Sequence, residues 1–287
     1  MCQILSGKEV AEHVKQQVKE EIERRGLKVT LAVIVVGDNP ASKIYVRNKS
    51  RACEYCGIKS IEYVLPEQTT KNELLSFIDK LNANAEVNGI LVQLPLPKHI
   101  NADEVIERIS PAKDVDCFTA INTGKLWQGT YDIAPCTPAG IVAMLDYYNI
   151  NITGKNVVIV GRSNIVGKPT AALMLERNAT VTVCHSHTKD LYKYTSTADI
   201  LISAVGKPKF ITRGLVKKDA VVIDVGINRD ENGKVCGDVD FESVKDRVSA
   251  ITPVPGGCGV VTVAMLMRNT LIAAEMQNIL NPLTIQN

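Results

Sequence analysis

The sequence predicts an α/β protein of two units, each built on a parallel sheet covered by helices. Three observations carry that reading. Apolar runs of strand length alternate with helically spaced apolar residues almost throughout. Residues 155–177, KNVVIVGRSNIVGKPTAALMLER, read as a buried strand, a loop containing two glycines and an amphipathic helix. This is the opening of a Rossmann-like sheet, where helix N-terminus and loop amides form an anion site. Residues 113–135 show little periodicity, and a stretch of that length marks a boundary or a functional loop. A helix from Thr137-Pro138 to about Tyr148 then bridges into the second unit. The expected division is a first unit over 1–138 and 257–287 and a Rossmann-like unit over 139–256, with the last helix returning to the first.

Each element has a local reason. Ser6-Gly7-Lys8-Glu9 is a capping-box pattern. The helix it opens spaces Val10, Val14, Val18 and Ile22 along one face and ends at Gly26. A strand follows at 29–36. Asn39-Pro40 opens a helix with Pro at its first position, running to Cys56 and Gly57. The next strand covers 58–65. Thr70-x-x-Glu73 caps a helix carrying Leu74, Leu75, Ile78 and Leu81. Asn88-Gly89 turns into a strand at 90–94 that Pro95 and Pro97 stop, and Asn101 caps a short helix ending near Pro111. In the second unit the strands are 157–160, 180–184, 200–204 and 220–225. A final helix over about 261–280 follows Pro-Val-Pro-Gly-Gly.

Composition narrows the function classes. The 287 residues are 45% hydrophobic and 22% charged, with a net charge of +2, as expected of a soluble globular protein. The absence of a basic block argues against nucleic acid as a partner. No apolar run is read as long enough to cross a membrane, and the N-terminus lacks the pattern of an export signal. The eight cysteines are accordingly expected to be reduced thiols in the cytoplasm. Cys53 and Cys56 form a lone C-x-x-C on a predicted helix and read as packing residues, a redox or metal role being the alternative.

The glycine loop departs from G-x-G-x-x-G, since Ser163 and Val166 fill the second and third glycine places. A strand-to-helix turn with no ligand is the alternative reading. The end of the next strand reads His185-Ser186-His187-Thr188-Lys189, with no carboxylate before Asp190. An NAD site usually has an acid there. With Arg162 in the loop, the pocket is cationic and rich in hydroxyls, which suits a 2′-phosphate and favours NADP. Solvated loop residues, or a His185–His187 metal pair, are the competing explanations.

In the first unit, Tyr45 and Lys49 are four apart on one helix face, Gln93 sits at a strand's carboxyl end, and Asp116 lies in the irregular loop. An aromatic ring, an amine, an amide and a carboxylate are thus placed to converge, or else are a surface pair, a loop tether and a turn residue.

These residues also carry a resemblance. Pro40-Ala41-Ser42-x-x-Tyr45-Val46-x-x-Lys49, then 89–97 (GILVQLPLP), then Lys113-Asp114-Val115-Asp116 are similar to the bifunctional methylenetetrahydrofolate dehydrogenase/methenyltetrahydrofolate cyclohydrolase (FolD) family. The likeness continues through Pro135-Cys136-Thr137-Pro138, GRSNIVGKP, 224–228 (DVGIN) and 253–257 (PVPGG). It covers nearly the whole chain in order. The resemblance implies a homodimeric NADP enzyme of one-carbon folate metabolism, working in a crevice between two lobes without a metal. It implies that Lys49 is catalytic, that Gln93 orients it, that Tyr45 stacks on the folate and that Asp116 anchors the pterin. Leu94, Pro95 and the Pro255-Gly256-Gly257 turn would line the folate site. The cofactor would meet Gly161, Arg162, Ser163, Ile165, Val166 and Gly167 of the loop. It would also meet His185 and Ser186, then Ala204, Val205 and Gly206, then Gly226, Ile227 and Thr262. A protonated lysine would repel the methenyl cation, whereas a neutral one would help water attack it. The chain departs from the family pattern at Cys117, Thr119 and Ala120, and at Val260 and Val261. Two other readings share the layout: an NADP-dependent dehydrogenase of another small molecule, such as a shikimate-like acid, and a non-catalytic NADP-binding regulator.

Overall fold

The computed structural model describes residues 2–38 and 40–280. Asn39, expected to open the second helix, lies outside them, as do residues 281–287. In chain order the elements are β1 (Gln3–Ile4), α1 (Gly7–Arg25), β2 (Thr30–Val36), α2 (Pro40–Cys56), β3 (Lys59–Leu65), α3 (Lys71–Ala83), β4 (Gly89–Val92), α4 (Ala102–Glu107), α5 (Ala120–Gln128) and α6 (Cys136–Tyr147). They continue with β5 (Asn156–Val160), α7 (Gly167–Glu176), β6 (Thr180–Cys184), α8 (Tyr192–Thr195), β7 (Ile200–Ser203), β8 (Val221–Asp224), β9 (Asn228–Arg229), β10 (Val235–Cys236), α9 (Phe241–Val244), β11 (Ala250–Ile251) and α10 (Cys258–Leu280).

The chain divides into two compact units, one made of the residues up to Glu12 with Thr137–Thr262, the other of His13–Cys136 with the residues from Val263 on. This differs from the division expected at the N-terminus. Residues up to 12 cluster with the second unit because β1 hydrogen-bonds to β11, a pairing of two residues that carries no periodicity to read.

The smaller sheet has the order β3-β2-β4, all parallel. Its central strand, TLAVIVV, is buried at every position, which explains its unbroken apolar run. The edge strand β3 is partly exposed, Val64 included. Ala32, Ile34 and Val36 pack with Ile90 and Val92 against Leu74, Ile78 and Leu81 of α3. The larger sheet is wholly parallel, in the order β1-β11-β8-β7-β5-β6. Strand order reverses at β5, which has β6 on one side and β7 on the other. Loops leaving β5 and β7 diverge there, the place where open α/β sheets bind ligands.

Two expectations need correction. The loop at 113–135 contains a helix, α5, capped by the Thr119 side chain and closed by Gly129 in the left-handed region (φ 68°). Its pattern was unreadable because it is inverted: Ile121 and Trp127 are exposed, while Asn122 and Leu126 are buried. The C-terminal helix does have a span, Cys258–Asn278, long and apolar enough to cross a membrane. Most of that span is buried within the protein, which makes it a core helix.

The expected cap on α3 is present in both directions: Glu73 N donates to Thr70 Oγ1 (3.3 Å) and Thr70 N donates to the Glu73 carboxylate (2.8 Å). Thr70→Ala should therefore lower unfolding free energy by about 1 kcal/mol, measured by urea denaturation.

Candidate active site

In the smaller-sheet unit, the loop after β4 takes its shape from its own charges. Lys113 is buried, and its Nζ donates to Leu81 O (3.0 Å) and Asn84 O (2.7 Å) at the end of α3. Burial holds its pKa below the usual lysine value. The buried Asp114 carboxylate accepts Phe118 N (3.2 Å), Thr119 N (2.9 Å) and Asn122 Nδ2 (3.1 Å), fixing the start of α5. From α10, Asn269 Nδ2 donates to Val115 O (2.9 Å) and Ala134 O (2.8 Å), tying together the two ends of the segment. Cys117 is buried at φ 58° and donates its thiol to Ile133 O (3.1 Å). That backbone conformation is one a glycine adopts freely.

Asp116 follows in the same loop. Lys49, reaching from α2, donates from Nζ to Gln93 Oε1 at 2.9 Å. Gln93 follows β4 and donates from Nε2 to Leu94 O (2.7 Å), which fixes the orientation of its amide. The Leu94–Pro95 bond is cis. Burial pushes the Asp116 carboxyl up to about 6, with Asp114 adding to the rise, against the pull of the Lys49 ammonium and the Cys136 thiol. The residue keeps some solvent exposure, but its carboxyl group is desolvated. Cys136 Sγ lies 3.8 Å from Asp116 Oδ1. Asp116, Phe118 and Leu94 line a small cavity with Ile90 and Val92. Amine, amide and carboxylate are thus brought together. Tyr45, one turn before Lys49, is 45% exposed and presents its ring to solvent.

In the larger-sheet unit, the glycine loop follows β5. A Cβ on Gly161 (φ 133°) would meet Ala204 O at 2.3 Å, and one on Gly167 would meet Gly161 O at 2.2 Å. Both glycines admit the protein's own backbone. Helix-start amides expected to face an anion are partly used, because Val166 N and Gly167 N donate to Ser163 Oγ (3.1 and 3.4 Å). Arg162, Ser163 and Ile165 remain exposed, Val166 partly so. At the end of β6, Gly161 N donates to Cys184 O (2.8 Å), which sets the loop beside His185 and Ser186. His185 Nδ1 accepts the His187 amide (3.2 Å). Among the described residues no group of three or more His, Cys, Asp and Glu is placed to hold a metal. An exposed arginine, hydroxyls and no carboxylate at this strand end fit a phosphorylated ribose.

The turn expected near the folate, Pro255-Gly256-Gly257, follows a cis Val254–Pro255 bond, and Gly256 (φ 100°) accepts Gly7 N at 2.8 Å. Thr262 Oγ1 lies 3.0 Å from Thr137 Oγ1. Gly226 and Ile227 follow β8, and Ile227 is 54% exposed. Sequence reasoning missed Asp224 and Asp238 as site-forming residues. Asp224 stands in the sequence only as part of the 224–228 run, and Asp238 carries no motif that singles it out. Asp224 accepts Gly226 N (2.9 Å), Asp238 N (3.0 Å) and Val239 N (2.9 Å), and burial pushes it up to about 6. Cys53 and Cys56 are fully buried, and burial raises both thiols, to about 12 and about 11.

Fold and site define a two-unit α/β protein of the Rossmann-like, dinucleotide-binding class. Residues 5–116 match the catalytic domain of tetrahydrofolate dehydrogenase/cyclohydrolase, and 135–278 match its NAD(P)-binding domain. The chain belongs to the tetrahydrofolate dehydrogenase/cyclohydrolase family. It is 56% identical to the bifunctional protein FolD of Agathobacter rectalis over 278 residues, 96% of this chain and 100% of the relative. It is also similar to the solved bifunctional FolD of Campylobacter jejuni, at 49% identity and TM-score 0.94, covering 96% of this chain and 99% of that one. The Trypanosoma brucei FolD, solved with NADP cofactor and an inhibitor, is 36% identical with TM-score 0.90, covering 96% and 98%.

Asp116 sets a pH signature. Its folded pKa, about 6, lies above an ordinary aspartate at about 4. The folded state therefore holds this proton more tightly than the unfolded chain. The resulting stability is present below about pH 4 and lost as pH rises through 6. Asp116→Asn should have a higher melting temperature than the parent at pH 8, with the gap closing toward pH 5, as read by calorimetry.

Proposed function

We propose that this chain oxidises 5,10-methylenetetrahydrofolate to 5,10-methenyltetrahydrofolate with NADP and hydrolyses the product to 10-formyltetrahydrofolate. The observation that carries this is the 2.9 Å Lys49–Gln93 bond beside the desolvated Asp116. NADP, when bound, supplies the hydride acceptor. Everything else is the work of the chain's own groups. Ionised, Asp116 accepts the paired donors of a pterin edge. The Tyr45 ring gives a flat apolar surface for the aromatic part of the folate. Gln93, locked through Leu94, holds the lysine amine by one N–H. Unprotonated, that amine has a lone pair to take a proton from water attacking the methenyl carbon. Arg162 and Ser163 would hold the phosphorylated end of the cofactor, with the 161–167, 204–206 and 226–227 loops shaping its bed. The Pro255–Gly257 turn lines the folate side, and the whole reaction proceeds without a metal.

The protein works in the cytoplasm as a homodimer. Eight free thiols suit a reducing compartment. Strand β6 is an open edge of the larger sheet and leaves Val183 exposed, a surface that a second copy would cover. Light scattering should give twice the 31.3 kDa chain mass.

The activity test is a coupled assay. Purified protein with methylenetetrahydrofolate and NADP should produce NADPH, then lose methenyl absorbance as hydrolysis follows, and NAD should be the poorer substrate. Absence of both signals rejects the proposal. Lys49→Ala should bind NADP like the parent while hydrolysis falls by about a hundredfold or more. Undiminished turnover would remove the lysine from the mechanism.

A further inference from the structure

A pair of buried carboxylates sits below the loops that leave β7 and β8. Asp238 has no solvent exposure. Its Oδ2 accepts Val205 N at 2.6 Å, Gly206 N at 3.2 Å and Ser203 Oγ at 3.3 Å. Its Oδ1 accepts Lys207 N at 3.0 Å and Asn228 Nδ2 at 2.8 Å. Three consecutive amides of the 204–207 loop thus point at one carboxylate, and the side chain of Asn228 ties the neighbouring loop to it. Asp224 returns the arrangement, accepting the Asp238 and Val239 amides.

Two glycines make the arrangement possible, and neither has a positive φ. A Cβ at Gly226 would meet Asp238 Oδ1 at 2.2 Å, and a Cβ at Gly237 would meet Asp224 Oδ2 at 1.9 Å. Each acid therefore occupies the space that a side chain would fill in the other's segment. The geometry is reciprocal: acid 224 over glycine 237, acid 238 over glycine 226. A turn that only needed closing would be served by one neutral hydrogen bond. Burying a charge instead requires that all its acceptor sites be used, and here five donors use them. In return, the charge fixes three loop amides at once.

We infer that Asp238, braced by Asp224, is a positioning residue for the cofactor bed, holding the 204–207 and 226–228 loops in the shape that receives NADP before it arrives. This rests on the proposed NADP-dependent function. Asp238 acts through these loops and is not itself catalytic. Pre-forming a binding loop removes an ordering cost from association, so losing the clasp should appear in cofactor affinity.

The test uses Asp238→Asn, which keeps the size but turns one acceptor into a donor facing amides. The expected result is a dissociation constant for NADP weaker by about tenfold or more, measured by calorimetry, with the KM for NADP rising and the KM for the folate unchanged. In the cofactor-free protein, amide hydrogen exchange at 205–207 should accelerate while exchange in β2 stays as in the parent. Wild-type NADP affinity and unchanged exchange at 205–207 would overturn the inference. Should Asp238→Asn not fold, Asn228→Ala removes one of the five donors and should weaken NADP and loosen 205–207 in the same direction; no change in either would likewise overturn it. Failure of the parent protein to bind NADP would reject the proposed function, while the exchange measurement would still judge the clasp.

Discussion

Buried carboxylates spent on loop amides are the interaction on which both halves of this protein depend. Parallel strands end together, and the loops that leave them carry backbone donors that the sheet does not use. Asp114 takes the donors at the start of α5, and Asp224 and Asp238 take those behind β7 and β8. Each such charge is costly to desolvate and holds its place because several hydrogen bonds converge on it. Asp116 shows the opposite arrangement. It is desolvated, faces Lys49 and receives a 3.8 Å approach from the Cys136 thiol. Its pKa is raised chiefly by burial. Within the Lys113-Asp114-Val115-Asp116 run, two charges are turned inward onto backbone groups, whereas Asp116 is paired with side chains.

Much of the architecture was legible because burial writes long patterns. The unbroken apolar runs of β2, β5 and β7 announced strands covered on both faces, and Thr70 and Glu73 announced a cap by type and spacing. Elements too short for a period were not legible. Strands β1 and β11 have two residues each, and their pairing moves the N-terminus into the larger sheet's unit. Helix α5 was hidden by exposing Ile121 and Trp127 and burying an asparagine.

At the candidate site, Lys49 and Gln93 were legible from helix phase and strand end, and the structure joins them. The glycines were legible as required, but their reason was not. Gly161 makes room for Ala204, in a segment far along the chain, and Gly167 for Gly161 across their own loop. Asp238 left no one-dimensional trace beyond two acid–glycine pairs spaced so that each acid meets the other's glycine. A charged residue in a loop reads as solvated until the fold shows what surrounds it.

The first residue of α1 has a wider bearing. A Cβ on Gly7 would lie 2.0 Å from Gly257 O, and the Gly7 amide donates to Gly256 O. The first turn of α1 is thereby keyed to a turn some 250 positions downstream. Any side chain at position 7 would therefore be felt at the Pro255–Gly257 turn.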